Sequence, residues 1–222
     1  VTTDYCLVWV APDGERMLAC DNPALQSMRL DDGDRTYLSQ AQVLFLSGFV
    51  PLALIQEAIR VARAAGLSVA FDLADTFDDL ATRGLHRQDM WRLVPDIDLL
   101  MTNHLGLSSL LELDQAEAAL AAFGRRAPGV SVAMTMGSQG AWLGRGDRRV
   151  RVDAFPVEAV DTTGAGDAFH AALIYGLLLE GWPLRRASLF ASALAALKCT
   201  ALGARGGLVG REAVEEFLRT AE

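Results

Sequence analysis

Short apolar runs recur along this chain with segments of helical spacing between them. The first three are Val43-Leu44-Phe45-Leu46-Ser47-Gly48, Ser68-Val69-Ala70-Phe71-Asp72-Leu73 and the stretch from Ile97 to Met101. A run that is apolar on successive residues must bury both of its faces, and a parallel sheet covered by helices does that. Leu52 to Ala65 has helical spacing and stops at Gly66; a second helical segment extends to about Leu93, and an alanine-rich one runs from Asp114 to Phe123. Val130 to Met134 reads as a further strand, and Arg148 to Val160 as strands too. This alternation predicts an α/β fold: a doubly wound, mainly parallel sheet flanked by helices. Chemistry in such sheets gathers beyond the carboxyl ends of the strands, which directs attention to Asp72, Asp75 and Asn103.

Near the N-terminus, Thr3 to Val10 and Arg16 to Ala19 flank the turn signal Pro12-Asp13-Gly14 and read as a hairpin. The chain has 222 residues, 51% of them hydrophobic, enough for one domain with a sizeable core. A formal charge of −8 argues against a general nucleic-acid surface. The longest apolar runs, such as Ala171 to Leu179, are too short to span a bilayer, and no membrane partner is expected. Cys6, Cys20 and Cys199 are few, widely spaced and odd in number, so neither a disulfide framework nor a zinc site is expected; a reducing cytoplasm fits best. His86, His104 and His170 share no metal-ligand spacing and receive no role, and no metal ligand is assigned.

The densest chemical signal is Asp161-Thr162-Thr163-Gly164-Ala165-Gly166-Asp167-Ala168-Phe169, between a β-like segment and a helix expected from Ala165 to Glu180. Its two glycines permit a tight turn with unobstructed N–H groups, and the helix that starts there adds the positive end of its dipole. Gly164, Ala165 and Gly166 thus read as an anion hole. Asp167, at the helix start, is favoured as a carboxylate and can take a proton from a hydroxyl held beside a phosphate. The bland alternative is a turn and helix N-cap without a ligand. No Gly-Lys-Ser/Thr follows the glycines, so this is not a P-loop.

The stretch Asp161 to Asp167, continued by Ala168-Phe169-His170-Ala171-Ala172-Leu173-Ile174, closely resembles the C-terminal signature of the ribokinase-like (PfkB) family of carbohydrate and nucleoside kinases. The resemblance implies an ATP-dependent phosphotransferase acting on a sugar or nucleoside hydroxyl with Mg²⁺, Asp167 being the general base. Thr135-Met136-Gly137-Ser138-Gln139-Gly140 matches the family's Thr-x-Gly-x-x-Gly, which places Thr135, Gly137 and Gly140 along the nucleotide; read alone, it is a glycine turn in a hairpin to Ala141-Trp142-Leu143. Asn103 opens Asn103-His104-Leu105-Gly106, where relatives carry Asn-x-x-Glu, so Asn103 is carried over to the nucleotide site while Gly106 replaces a glutamate that helps hold the waters around Mg²⁺. Ser192 stands where relatives often have asparagine, in Phe190 to Leu197, which together with Gly203-Ala204 resembles the purine pocket; a buried small-residue packing face explains its alanines equally well. The resemblance implies a monovalent-cation site, commonly K⁺, at Asp161, although Gly207 stands where that site often has serine. Asp75-Thr76-Phe77 is similar to the adenosine-kinase-like members and tilts the acceptor toward a nucleoside.

On this reading residues 1–35 form a lid-like β segment and 36–222 the kinase domain, without the family's N-terminal portion, its opening strand and its substrate-gating Gly-Gly segment. The chain is then a fragment, or a short form expected to cover its open sheet edge with a partner, as in a homodimer. Two other readings stand beside the kinase: a nucleotide-binding or regulatory relative weakened in catalysis, and a purely structural interaction domain.

Overall fold

The computed structural model describes residues 2–10 and 16–221. The expected turn at Pro12-Asp13-Gly14 lies outside the described residues. On either side of it, β1 (Tyr5–Val10) and β2 (Arg16–Asp21) pair antiparallel, so the hairpin forms. Its register sets Cys6 opposite Cys20 with their Cα atoms 4.0 Å apart, and the two are joined as a disulfide. That corrects the expectation of unpaired cysteines: spacing along the chain says little once two strands fold back on each other. Two short helices follow, α1 (Pro23–Ser27) and α2 (Asp32–Leu38). The Asp4 carboxylate accepts the Ala24 and Leu25 N–H groups at 2.7 and 3.2 Å, tying the root of the hairpin to the start of α1.

The main sheet has six strands in chain order: β3 (Val43–Ser47), β4 (Ser68–Asp72), β5 (Leu99–Asn103), β6 (Ser131–Thr135), β7 (Ala141–Arg145) and β8 (Arg148–Val152). The first four run parallel, and β7 and β8 are antiparallel additions. Between and after them come α3 (Leu52–Ala64), α4 (Phe77–Thr82), α5 (Arg87–Leu93), α6 (His104–Leu111) and α7 (Ala116–Arg126), then α8 (Ala165–Leu173), α9 (Leu184–Cys199) and α10 (Arg211–Thr220). Successive strand residues separate into two cores, as the strand repeat of two requires. Phe71, Leu100, Val132 and Met134 pack with α3 to α7, whereas Ala70, Leu99, Met101 and Ala133 pack with α8 to α10. Helices therefore cover both faces, as expected. Strand order runs without reversal, so it is the loops at the carboxyl ends of β4, β5 and β6 that form the site.

Several expected boundaries shift for local reasons. The helix expected through Leu93 is two, α4 and α5, broken at Gly84 with φ +86°. Residues 153–160 form no strand; Pro156 supplies no N–H for a ladder. The helix expected to Glu180 loosens after α8 into a π-type turn over Ile174–Leu179, where Gly176 lets Trp182 approach the backbone. Strand β3 is an edge strand and not a buried one: Phe45 is 48% exposed.

Candidate active site

Strand β6 delivers Thr135 to the carboxyl edge of the sheet, where the chain turns through Gly137 (φ +56°) and Gly140 (φ +87°) into β7. At Gly140 any side chain would run into the carbonyl of Val152, so the turn closes against the end of β8 because that position is glycine. Thr135, Gly137 and Gly140 then form one wall of a cavity of about 600 Å³. The opposite wall is apolar, built from Phe155, Pro156 and Val157 and from the Ser192, Ala196 and Cys199 side of α9. Thr162, Ala165, Gly166 and Phe169 form its end at the start of α8. Ser192 Oγ donates to the Asp153 carbonyl at 3.1 Å, which pins the segment 153–157 onto α9.

The anion loop is braced on several sides. The N–H groups of Val160 and Asp161 donate to the Cys199 carbonyl at 2.8 and 3.1 Å, docking the loop on the end of α9. One oxygen of the Asp161 carboxylate accepts the Thr163 N–H and hydroxyl at 2.9 and 2.6 Å, and the other accepts the Gly203 N–H at 2.9 Å. The Thr163 hydroxyl and N–H, then the Gly203 N–H and the charge of Lys198, hold this carboxyl well below the usual carboxylate range. Gly164 takes φ +81° and lies so close to Ala204 that a side chain would meet its carbonyl. The N–H groups of the first turn of α8 have no acceptor within the helix and carry its positive end, and Asp167 stands exposed in that turn.

Behind Asp167, one turn further along α8, His170 is buried with Nδ1 3.7 Å from the Asp72 carboxylate at the end of β4. Burial pushes the imidazole below its ordinary value, against the pull of Asp72 and Asp167, and burial pushes the Asp72 carboxyl up. The sequence reading gave His170 no role; the spacing Asp167-x-x-His170, one helical turn, was the available signal.

Of the residues singled out from the sequence, Thr135, Gly137, Gly140, Ala165, Gly166 and Ser192 line one cavity, and Asp161, Gly164 and Asp167 belong to the loop at its end. Asn103 has a separate task. Its Oδ1 accepts the Gly106 N–H at 2.8 Å and caps α6, a helix absent from the sequence reading. At Gly106 a side chain would run into the Thr102 hydroxyl, so this backbone admits glycine and not the family's glutamate. Asp75 caps its own turn, accepting the Thr76 N–H at 2.8 Å. The wall at 155–157 and the contributions of Thr162 and Cys199 were missed; the Phe-Pro-Val run, apolar and unable to continue a strand ladder, was their trace.

The family model described as "pfkB family carbohydrate kinase" matches residues 1–209. The chain belongs to the pfkB family. Within it, the chain is 29% identical over 206 residues to an uncharacterized sugar kinase of Archaeoglobus fulgidus, a match covering 91% of this chain and 78% of that protein. Over 85 residues it is 45% identical to the ribokinase of Bacillus subtilis, covering 38% of this chain and 29% of the relative. Among solved structures, Arabidopsis thaliana ribokinase complexed with ribose and ATP superposes with a TM-score of 0.78 at 25% identity, covering 98% of this chain and 69% of that one. The pfkB fold thus accounts for both the main sheet and the hairpin of this chain.

Proposed function

We propose that this chain transfers the terminal phosphoryl group of ATP to a hydroxyl group of a sugar or nucleoside. The observation that carries the reading is the junction of an apolar-walled cavity with a glycine loop at a helix N-terminus that has a free-standing carboxylate, Asp167, in its first turn. The cavity suits a purine: Phe155 and Val157 offer apolar contact and Thr135 a hydroxyl, while Gly137 and Gly140 leave the backbone bare for a ribose or phosphate. The relative solved with ribose and ATP supports the pairing of nucleotide and sugar.

Asp167 takes the proton from the acceptor hydroxyl as its oxygen bonds to the terminal phosphorus and the bond to the departing ADP oxygen breaks. The N–H groups of Gly164, Ala165 and Gly166 face the charge spread over the transferring oxygens, and the dipole of α8 adds to them. ATP enters with Mg²⁺, which neutralises phosphate charge. Magnesium carried on substrate phosphates and waters needs one or two carboxylates from the protein, and Asp167 and Asp72 at this end of the sheet fit that demand. Gly106 favours a second reading, a nucleotide-binding relative with weakened catalysis, because no carboxylate can stand at that position.

Release of ADP from Mg-ATP against pentoses, hexoses, keto-acid sugars and nucleosides separates the two readings. Acceptor-dependent release is expected, falling by about a thousandfold or more in Asp167→Asn while ATP affinity is kept. Unchanged turnover in that variant would remove Asp167 from the mechanism, and ATP binding without any release would favour the second reading.

A further inference from the structure

Lys198 is fully buried, an expensive place for an ammonium unless the fold uses its charge. It lies in the last turn of α9, and its Nζ donates to the backbone carbonyl of Asp161, the first residue of the anion loop, at 2.6 Å. The surroundings are crowded with negative poles. The C-terminal end of α9 presents its carbonyls here, with that of Cys199 receiving two loop N–H groups, and the Asp161 carboxylate lies alongside, its ionised form favoured in part by the charge of Lys198. Beneath the loop the 203–207 segment packs so tightly that a side chain at Gly207 would approach the carbonyls of Leu197 and Lys198 to 2.6 and 2.7 Å. Helix C-terminus, carboxylate and inward carbonyl together repel an incoming phosphate, and one cation beneath them offsets that repulsion.

We infer that Lys198 is a built-in cation of the anion loop: its ammonium fixes the Asp161 carbonyl and supplies beneath the loop the positive charge that a bound monovalent ion would otherwise provide. The inference rests on the kinase reading and deepens it. Lys198 is a positioning residue, acting on phosphate through residues 161–166 and not by contact. Its consequence departs from what the resemblance implies at Asp161: nucleotide binding by this chain does not depend on potassium.

The test measures the affinity of Mg-AMP-PNP by calorimetry in potassium chloride and in tetramethylammonium chloride of equal ionic strength, a comparison that a merely structural role for Lys198 would not influence. Wild type is expected to bind within about twofold in the two salts, and Lys198→Met to bind about tenfold or more weakly in tetramethylammonium, the loss of one charged hydrogen bond. Tenfold tighter binding by wild type in potassium would overturn the inference and leave the kinase reading intact. So would a Lys198→Met variant that binds like wild type. Should Lys198→Met fail to fold by circular dichroism, the wild-type salt comparison decides alone. Absence of nucleotide binding by wild type in either salt would sink both the kinase reading and the inference.

Discussion

His170 is held one turn past Asp167 with its Nδ1 buried, without a hydrogen-bond partner and 3.7 Å from Asp72, and that placement fixes how stability responds to acid. Burial lowers the imidazole pKa in the folded chain. As pH falls through an imidazole's ordinary value of about 6.5, the unfolded chain therefore binds a proton that the folded chain resists, and stability is lost. Asp72 works in the opposite sense. Its carboxyl is raised by burial, so the folded chain binds that proton more readily than the unfolded one, and stability is lost as pH rises through its folded value. Between about pH 7.5 and about pH 5.5 the histidine contribution is the one that His170→Gln removes. The variant should show a shallower fall in Tm across that range, by about 2 °C or more, the response of a chain this long to under 1 kcal/mol. An equal or steeper fall would mean that the imidazole protonates freely inside the fold. Nothing in the sequence pairs Asp72 with His170, because only closure of α8 onto the end of β4 brings them together. Asp167 was legible by contrast, since its loop, helix start and carboxylate are consecutive residues.

The turn between β6 and β7 shows how much of a local element its sequence carries. Thr-x-Gly-x-x-Gly could be read both as a hairpin turn and as a nucleotide contact, and the structure contains the turn and sets Thr135, Gly137 and Gly140 on the cavity wall. What the pattern does not say is that its two glycines have different tasks. Gly137 has φ +56° with open space around it, so Gly137→Ala pays only for a left-handed backbone, about 1–2 kcal/mol. Gly140 has φ +87° and ψ −141°, a region that side chains avoid, and it faces the Val152 carbonyl. Gly140→Ala should therefore lower Tm by about 5 °C or more beyond Gly137→Ala, measured by thermal unfolding. Equal melting of the two variants would show that β8 yields to the added methyl. The helices missed from the sequence fail for a related reason. α6 depends on the Asn103 cap and on Gly106 fitting under Thr102, contacts made by residues with weak patterning of their own.

At the scale of the molecule, the parallel strands could be read from their apolar runs because burial on both faces leaves no other pattern, whereas the edge position of β3 could not, since its run Val-Leu-Phe-Leu looks the same whether or not a neighbour pairs with it. The hairpin is a separate sheet, and Tyr5, Leu7, Trp9 and Met17 on it are each more than half exposed. Such a unit has little burial of its own, and the Cys6–Cys20 link compensates locally. Closing a loop of about 15 residues is worth ~3 kcal/mol in the chain-entropy account, and the two cysteines are 14 residues apart. If the hairpin unfolded together with the main sheet, reduction would lower the global Tm by about 6–12 °C. If the hairpin opens independently, the same free energy appears only in its own amides. The second outcome is expected: hydrogen exchange after treatment with dithiothreitol should speed up by about tenfold or more in β1 and β2, leaving β4, β5 and β6 protected and Tm within about 1 °C of the oxidised chain. A large fall in Tm would instead join hairpin and main sheet into one cooperative unit, and the projecting sheet would then be held in place by the domain rather than by its own cross-link.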